Sequence, residues 1–311
     1  MTRDADNTKP RIWLPRFNLR SLFAFMFVAA AGFAWFGFTL RAKQRERAAI
    51  QAWEQFGGGI RYDYEVDEDG TLIEPLPSPP GPAWLRQRLG DDWFANVESA
   101  FWVSGLSKRP WSLSPLRDLK QLQLLDLQAS GIGDADLIHL RDLKRLQYLD
   151  LQFTRVGDAG LAHLRELKRL QHLNLDDTDV GDAGLVHLRD LKQLQHLDLG
   201  STGVTDAGLV HLRDLKQLRY LNLFGARLGK QGLTHLRDLK QLKHLSLSNA
   251  RFDKQGLKGL GELKQLQRLE LDHARLDDAR LAELRELKQL QDLNLGFTRV
   301  SDADLIHLRE L

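Results

Sequence analysis

Apolar positions along this chain recur in a unit of 24 residues that runs eight times, without insertion or deletion, from Leu119 to Glu310. The unit reads L-K-x-L-x-x-L-x-L-x-x-[TSA]-x-[VILF]-x-x-x-x-L-x-x-L-x-[DE]. Two periodicities alternate inside it. In the fourth copy Leu197 and Leu199 alternate with His196, Asp198 and Gly200, the two-residue period of a strand. Leu209 and Leu212 follow at helical spacing, with Asp206 placed as a helix N-cap. Arg213 and Lys216 lie where the end of that helix would favour cations. A fixed period of this length marks a solenoid, in which each unit buries its apolar side against its neighbours. The fold class expected is therefore α/β. Parallel strands about 4.8 Å apart line one face and helices line the other. Helices are wider than strands, so the strand face is concave and the helix face convex.

The N-terminal third has a different pattern. Residues 1–20 form a basic tail. Ser21–Leu40 contains no charge in 20 residues and is closed by Arg20 and Arg41. As a helix it spans about 30 Å, the thickness of a hydrocarbon core. A cleaved signal peptide would carry a shorter apolar region, so an uncleaved single-pass transmembrane anchor is expected. Arg3, Lys9, Arg11, Arg16 and Arg20 flank one side and Arg41, Lys43, Arg45 and Arg47 the other. This near balance leans toward a cytoplasmic N-terminus, with the repeats extracytoplasmic, in a periplasm.

Residues 41–94 read as a juxtamembrane helix to Phe56, a Gly57-Gly58-Gly59 stop, a strand over Ile60–Val66, a turn over Asp67–Gly70 and a return strand over Thr71–Ile73. Glu65, Asp67, Asp69 and Gly70 match the start of a calcium loop. Leu76 stands where that loop needs a bidentate Glu, and the prolines after it forbid the second helix, so an ordinary acidic turn is the expectation. A proline-rich linker over Pro75–Pro82 and a short helix over Ala83–Leu89 lead into residues 95–118. That stretch reads as a degenerate repeat capping the stack, with Phe101 and Val103 aligned 24 residues before Leu125 and Leu127. Residues 119–311 hold the eight repeats. Leu311 opens a ninth unit, so self-association through an uncapped last coil is expected.

Charge adds little to this picture. Lys+Arg number 44 and Asp+Glu 42, giving no reason to expect nucleic acid. Repeats five and six are locally basic, with Lys230-Gln-Gly232 and Lys254-Gln-Gly256 replacing Asp-Ala-Gly beside Arg219, Lys243 and Arg251. A basic binding edge and tolerated drift both account for this. The absence of cysteine excludes disulfides, thiolate metal sites and cysteine nucleophiles. No catalytic motif stands out, so no enzyme, cofactor or metal is expected.

The repeats resemble the leucine-rich repeat family in its cysteine-containing and bacterial variants. Arg16-Phe-Asn-Leu-Arg-Ser-Leu22, Gly58-Gly-Ile-Arg-Tyr-Asp63, Pro82-Ala-Trp-Leu and Gly90-Asp-Asp-Trp-Phe-Ala-Asn resemble a membrane-anchored bacterial group common in Planctomycetes. The resemblance implies a scaffold for protein contacts. A hydrogen-bonding ladder position that is often Asn or Cys in the family is here Ser130, Thr154, Thr178 and Thr202, then Ala226, Ala250 and Ala274, then Thr298. The ladder is expected to be interrupted at the alanines.

Outward strand positions form columns on the concave face. One reads Leu124, Tyr148, His172, His196, Tyr220, His244, Arg268, Asp292. Core packing does not demand rings there. Tyr148, His172, His196, Tyr220, Phe224 and His244, flanked by Asp150 and Asp198, form the candidate site for a protein or peptide partner. The competing account is that the rings stack on one another to stabilise the sheet. His172, His196 and Asp198 could approach a metal, but the pattern supplies no third fixed ligand. His139, His163, His187, His211, His235 and His307 share one helix-side position, which points to a structural role. The leading expectation is a membrane-tethered interaction scaffold. The alternatives are a ligand-sensing or adhesion ectodomain, and a substrate-recognition subunit resembling F-box leucine-rich repeat proteins, although no F-box-like helical segment precedes the repeats.

Overall fold

A computed structural model describes residues 19–66, 73–74, 76–103, 112–229, 231–253, 257–274, 281–298, 300 and 308–309. The acidic turn at 67–70, most of the return strand, Pro75, Trp111, His307 and the last coil's end at 310–311 fall outside these residues, as does most of the basic tail. The chain divides into two compact units, 1–45 and 46–311.

The first unit is helical over its described part. Helix α1 runs Leu19–Gln55, and an 18-residue window within it reaches a mean hydropathy of 1.8. Phe23, Phe25, Met26, Phe27, Phe33, Trp35 and Phe38 are all exposed. The helix has the length and composition of a membrane span or a signal sequence.

The second unit is a solenoid. Strands β1 (Gly58–Tyr62), β2 (Val97–Trp102), β3 (Leu124–Asp126), β4 (Tyr148–Asp150), β5 (His172–Asn174), β6 (His196–Asp198), β7 (Tyr220–Asn222), β9 (His244–Ser246), β11 (Arg268–Glu270) and β12 (Asp292–Asn294) form one ten-stranded sheet in that order. Every pairing from β2 onward is parallel and in register, for example His172 with His196 and Leu173 with Leu197. Strands β3–β7, β9 and β11 each contribute a central leucine to one continuous core, where Leu125, Leu149, Leu173, Leu197, Leu221, Leu245 and Leu269 are fully buried. Each such side chain contributes roughly 1.5–3 kcal/mol. Helical segments on the other side are short. Asp158–Leu161, Asp182–Leu185 and Asp206–Leu209 are single α-turns, the first and third continued by a 3₁₀ turn.

The first strand departs from expectation. β1 ends at Tyr62, not Val66, and pairs antiparallel with β2. It closes the N-terminal edge of the sheet together with the end of α1, whose Ala49, Ile50 and Trp53 join the core. Trp53 is fully buried and its Nε1 donates to the Gly59 carbonyl at 3.1 Å. A Cβ on Gly58 would lie 2.1 Å from the Trp53 ring, so a glycine is required there. Arg47 clamps the 83–93 segment through a two-pronged ion pair to Asp92 at 2.6 and 2.7 Å. The register of β2 is also shifted from the one expected. Ala100, not Phe101, pairs with Leu125, and Phe101 pairs with Asp126. A one-residue slip exchanges the two faces of a strand, so Phe101 leaves the core for the open face.

The aspartate of Asp-Ala-Gly does not cap its own helix. Its carboxylate reaches the next coil. Gly157 N donates to Asp134 at 2.6 Å, Gly181 N to Asp158 at 2.7 Å, Thr205 N to Asp182 at 2.7 Å and Gly229 N to Asp206 at 2.7 Å. Asp182 also accepts from Thr205 Oγ1 and from Gly208 N. The glycine of the motif makes room for this. A Cβ at Gly160, Gly184 or Gly208 would stand 2.5–2.6 Å from the preceding coil's aspartate oxygen. Where the sequence has Lys230 the carboxylate is missing, and the amide of Asp253 donates instead to the Leu228 carbonyl at 3.1 Å. That substitution of acceptor accompanies the small parallel pair β8 (Arg227–Leu228) and β10 (Arg251–Phe252). The consequence of the basic repeats is thus a changed stitch between coils rather than a lost helix cap.

Two smaller expectations are corrected. The threonine position forms no ladder between coils. Thr154, Thr178, Thr202 and Thr298 each donate to the carbonyl three residues back in their own coil, at 2.6–2.7 Å. At Ala226, Ala250 and Ala274 the backbone amide reaches the equivalent carbonyl. Lys192 and Lys216 pair with Asp214 and Asp238 of the following coil at 3.8 and 4.0 Å, exposed contacts worth little.

Gly184→Ala decides whether the stitch governs the motif. Alanine is the better helix former by about 1 kcal/mol. Crowding against Asp158 should instead lower stability by roughly 1–3 kcal/mol in denaturant unfolding. The loss added by Gly184→Ala should shrink in an Asp158→Ala background, a coupling that a double-mutant cycle reads.

Candidate functional site

In-register pairing brings one repeat position together across five strands. Tyr148 and His172 stack with ring centroids 4.3 Å apart, His172 and His196 at 3.9 Å, and His196 and Tyr220 at 3.8 Å. The last pair is tilted by only 5°. Tyr220 then meets His244 edge-on at 4.6 Å. All five rings are half-buried on the open face of the sheet. His244 continues the line through a 3.0 Å contact to Glu270, and Arg268 pairs with Asp292 beyond it.

Packing the rings face to face removes water from their faces. Desolvation lowers the pKa of His172 to about 4. Desolvation, with the neighbouring His172 and His244 adding repulsion, lowers His196 to about 3. Tyr148 and Tyr220 are pushed up to about 12, chiefly by desolvation and then by nearby carboxylates. At neutral pH the four stacked rings from Tyr148 to Tyr220 are therefore uncharged. Stacked imidazoles present faces rather than in-plane nitrogens to each other, a poor arrangement for the metal considered at His172, His196 and Asp198.

Asp150 and Asp198 lie one position along, and each does backbone work. Their carboxylates accept the amides of Gln152 and Gly200, both at 2.9 Å. Asn174 and Asn222 on the following strands donate to the same two groups. The same side-chain turn is made by Asp126, Asn174, Asn222 and Asn294, and a left-handed residue follows in every coil: Ala129, Phe153, Asp177, Ser201, Gly225, Asn249, His273 and Phe297 all have positive φ. At the non-glycine positions this conformation costs on the order of 1 kcal/mol. Tyr148 Oη donates to Asp150 at 3.3 Å. Phe224 lies in the next column, 39% exposed, and makes no ring contact with the stack among the described residues.

A feature that the repeat pattern did not reveal adjoins the stack at its Tyr148 end. Arg61, Ser99, Ala100, Phe101, Trp102, Leu124, Asp126 and Tyr148 line a half-open cavity of about 430 Å³. It exists because β1 folds back along β2 and because the shifted register of β2 turns Phe101 outward.

Three stretches, 145–167, 169–188 and 192–212, match the Leucine Rich repeat family. The second unit has the fold of a leucine-rich-repeat solenoid. Among solved structures it is similar to internalin C2 of Listeria monocytogenes, with 24% identity over 64% of this chain and 81% of that one and a TM-score of 0.51. It is also similar to a chain of the mouse RP105/MD-1 complex, with 24% identity over 68% of this chain and a TM-score of 0.52. This chain spans 36% of the mouse protein's length. At these identities the likeness is one of fold. No curated protein matches the sequence.

Of the expected site residues, the leucine-rich repeat sheet brings Tyr148, His172, His196 and Tyr220 into one stack. It sets His244 at its end, uses Asp150 and Asp198 to close the strands, and leaves Phe224 apart. The helix-side histidines include His139 and His187, whose pKa burial lowers, consistent with packing roles.

Because folding lowers the pKa of His172 and His196 from 6.5, the unfolded chain binds more protons between that value and the folded ones. This contribution to stability is full above about pH 6.5 and is lost as pH falls toward about 4 and 3. Taking the protein from pH 7.5 to 5 should lower its melting temperature by on the order of 4 °C or more. His172→Phe with His196→Phe, which keeps two rings that cannot be protonated, should remove most of that difference in thermal scans.

Proposed function

We propose that this protein is a non-enzymatic scaffold, tethered to a membrane by α1, that takes a protein or peptide on the concave face of its leucine-rich repeat sheet. The observation that carries this reading is the uncharged ring stack from Tyr148 to Tyr220. It offers a continuous, half-exposed aromatic strip that the core does not require. Such a strip combines large contact area with polar edges and little conformational freedom to lose on binding. The rings also stabilise the sheet, and that does not compete with binding: a surface already ordered needs less ordering by its partner. The mouse RP105 structure is a complex with a second protein, MD-1. The motifs at Arg16–Leu22 and Gly58–Asp63 support a bacterial, membrane-anchored plan. Orientation follows the positive-inside rule. Five basic residues flank the span on its N-terminal side and four, Arg41, Lys43, Arg45 and Arg47, on the repeat side, a small bias that favours repeats outside the cytoplasm.

Proximity labelling from the intact anchored protein tests the reading. Tyr148→Ala with Tyr220→Ala should remove specific neighbours from the labelled set while circular dichroism keeps its wild-type form. Identical labelled sets would overturn binding through this face. Alkaline carbonate should leave the protein in the membrane pellet, and release into the supernatant would overturn the tether.

A further inference from the structure

The segment that leads into the repeats carries an apolar surface that the solenoid does not use. A proline-rich stretch is followed by helix α2 (Ala83–Leu89) and a 3₁₀ turn over Asp91–Trp93. On α2, Leu85 and Leu89 are half-buried, while Trp84, Gln87 and Arg88 are exposed. Trp84 is 65% exposed and Leu76, just before the helix, 60%. Outside α1, Phe297 alone among the described large apolar side chains is more exposed than Trp84.

Looseness does not account for this exposure, because α2 is fixed at both ends. Gly81 and Gly90 bracket it with φ of 89° and 98°. A Cβ on Gly81 would strike the Phe94 ring, and one on Gly90 would strike the Arg47 guanidinium. That guanidinium grips Asp92 and also donates to the Leu89 carbonyl at the end of α2. Arg86 pairs with Asp91 at 3.2 Å. Arg47 also limits where α2 can be. Seven residues separate it from Leu40, the last of the uncharged stretch. No conformation carries such a link further than about 25 Å. Trp84 lies five residues before Leu89, about 8 Å along the helix. A headgroup layer adds roughly 5–8 Å to each side of the hydrocarbon core. The clamp therefore keeps Trp84 within reach of the layer that the apolar stretch would emerge through.

We propose that α2 lies against the bilayer that holds α1, with Trp84 seated at the level of the lipid headgroups. A tryptophan ring is apolar over its faces and carries one N–H donor, the combination that concentrates this residue at membrane–water interfaces. Arg88, one turn on, can lay its stem on apolar surface and keep its charge among the phosphates. The sequence of α2 contains no carboxylate for the phosphates to repel. Continuity with the span favours lipid over a protein as the occupant, since the chain ties this face to the membrane whether or not a partner is present. The inference rests on the reading of α1 as a tether, and its test separates the two.

The chain has no cysteine, so one introduced cysteine carries a nitroxide at one known site. Full-length protein in phosphatidylcholine nanodiscs is labelled at Gln87→Cys, beside Trp84 on the exposed face of α2. Power-saturation EPR then compares collisions with oxygen, which concentrates in lipid, and with a water-soluble nickel chelate. The oxygen-to-nickel ratio should be severalfold higher than at Gln217→Cys, an exposed site on the repeats. Adding Trp84→Ser should bring it down to the Gln217 level. Ala30→Cys, inside the uncharged stretch, reports on the span itself. If the Ala30 site is shielded from nickel while the Gln87 site is as open as Gln217, the headgroup contact is refuted and the tether stands. Nickel access at Ala30 refutes both. Few collisions with either reagent at Gln87, the mark of cover by protein, would overturn the proposal, as would an oxygen preference that survives Trp84→Ser.

Discussion

Each coil of this protein buries its leucines only against the coil before it and the coil after it, so every other feature must respect a translation of 24 residues. Leu194 and Leu197 have no core within their own unit. Their burial requires the strands to pair in register, because a slip of one position would carry the whole apolar set to solvent. Register, once forced, makes columns unavoidable. Whatever residue type occupies a position then stands about one strand spacing from its own kind in the next coil.

Those columns explain the polar chemistry on both faces. On the helix side, aspartates reach across the coil junction to amides 23 residues on, and the glycines of the next motif leave room for them. On the open face, aspartates and asparagines of one column end most strands with a side-chain turn that leads into a left-handed residue. Beside it, His172 and His196 stack 3.9 Å apart, and desolvation lowers the pKa of both. A binding strip built this way is ordered before any partner arrives. The same contacts that hold the sheet also shape its surface, and stacking and recognition are two consequences of one arrangement.

The N-terminal edge obeys a different constraint. A parallel stack leaves an unpaired strand and an uncovered apolar end, both hazards for a soluble domain. Here β1 supplies an antiparallel partner and Trp53 covers the core. Closing the edge in this manner encloses the cavity beside Tyr148, because the covering strand brings Arg61 across from Ser99. The end of the repeat array is thus where a uniform surface acquires a distinct pocket.

The solenoid, its register and the ring column were legible from the chain alone, because a repeat states the same packing problem eight times and the leucine period admits one solution. Tyr148, His172, His196 and Tyr220 could be placed side by side by counting. The cavity could not. It depends on a non-repeating strand whose pairing is antiparallel and on a one-residue shift of β2 that turns Phe101 outward and Ala100 inward. No period marks either, since both are set by how Trp53 and the end of α1 fill the edge. The partner of each aspartate was hidden for a related reason. Sequence shows a carboxylate at the start of a helix, where capping its own amides is the local solution. Only the packed stack brings a closer amide, from the following coil, within 2.7 Å.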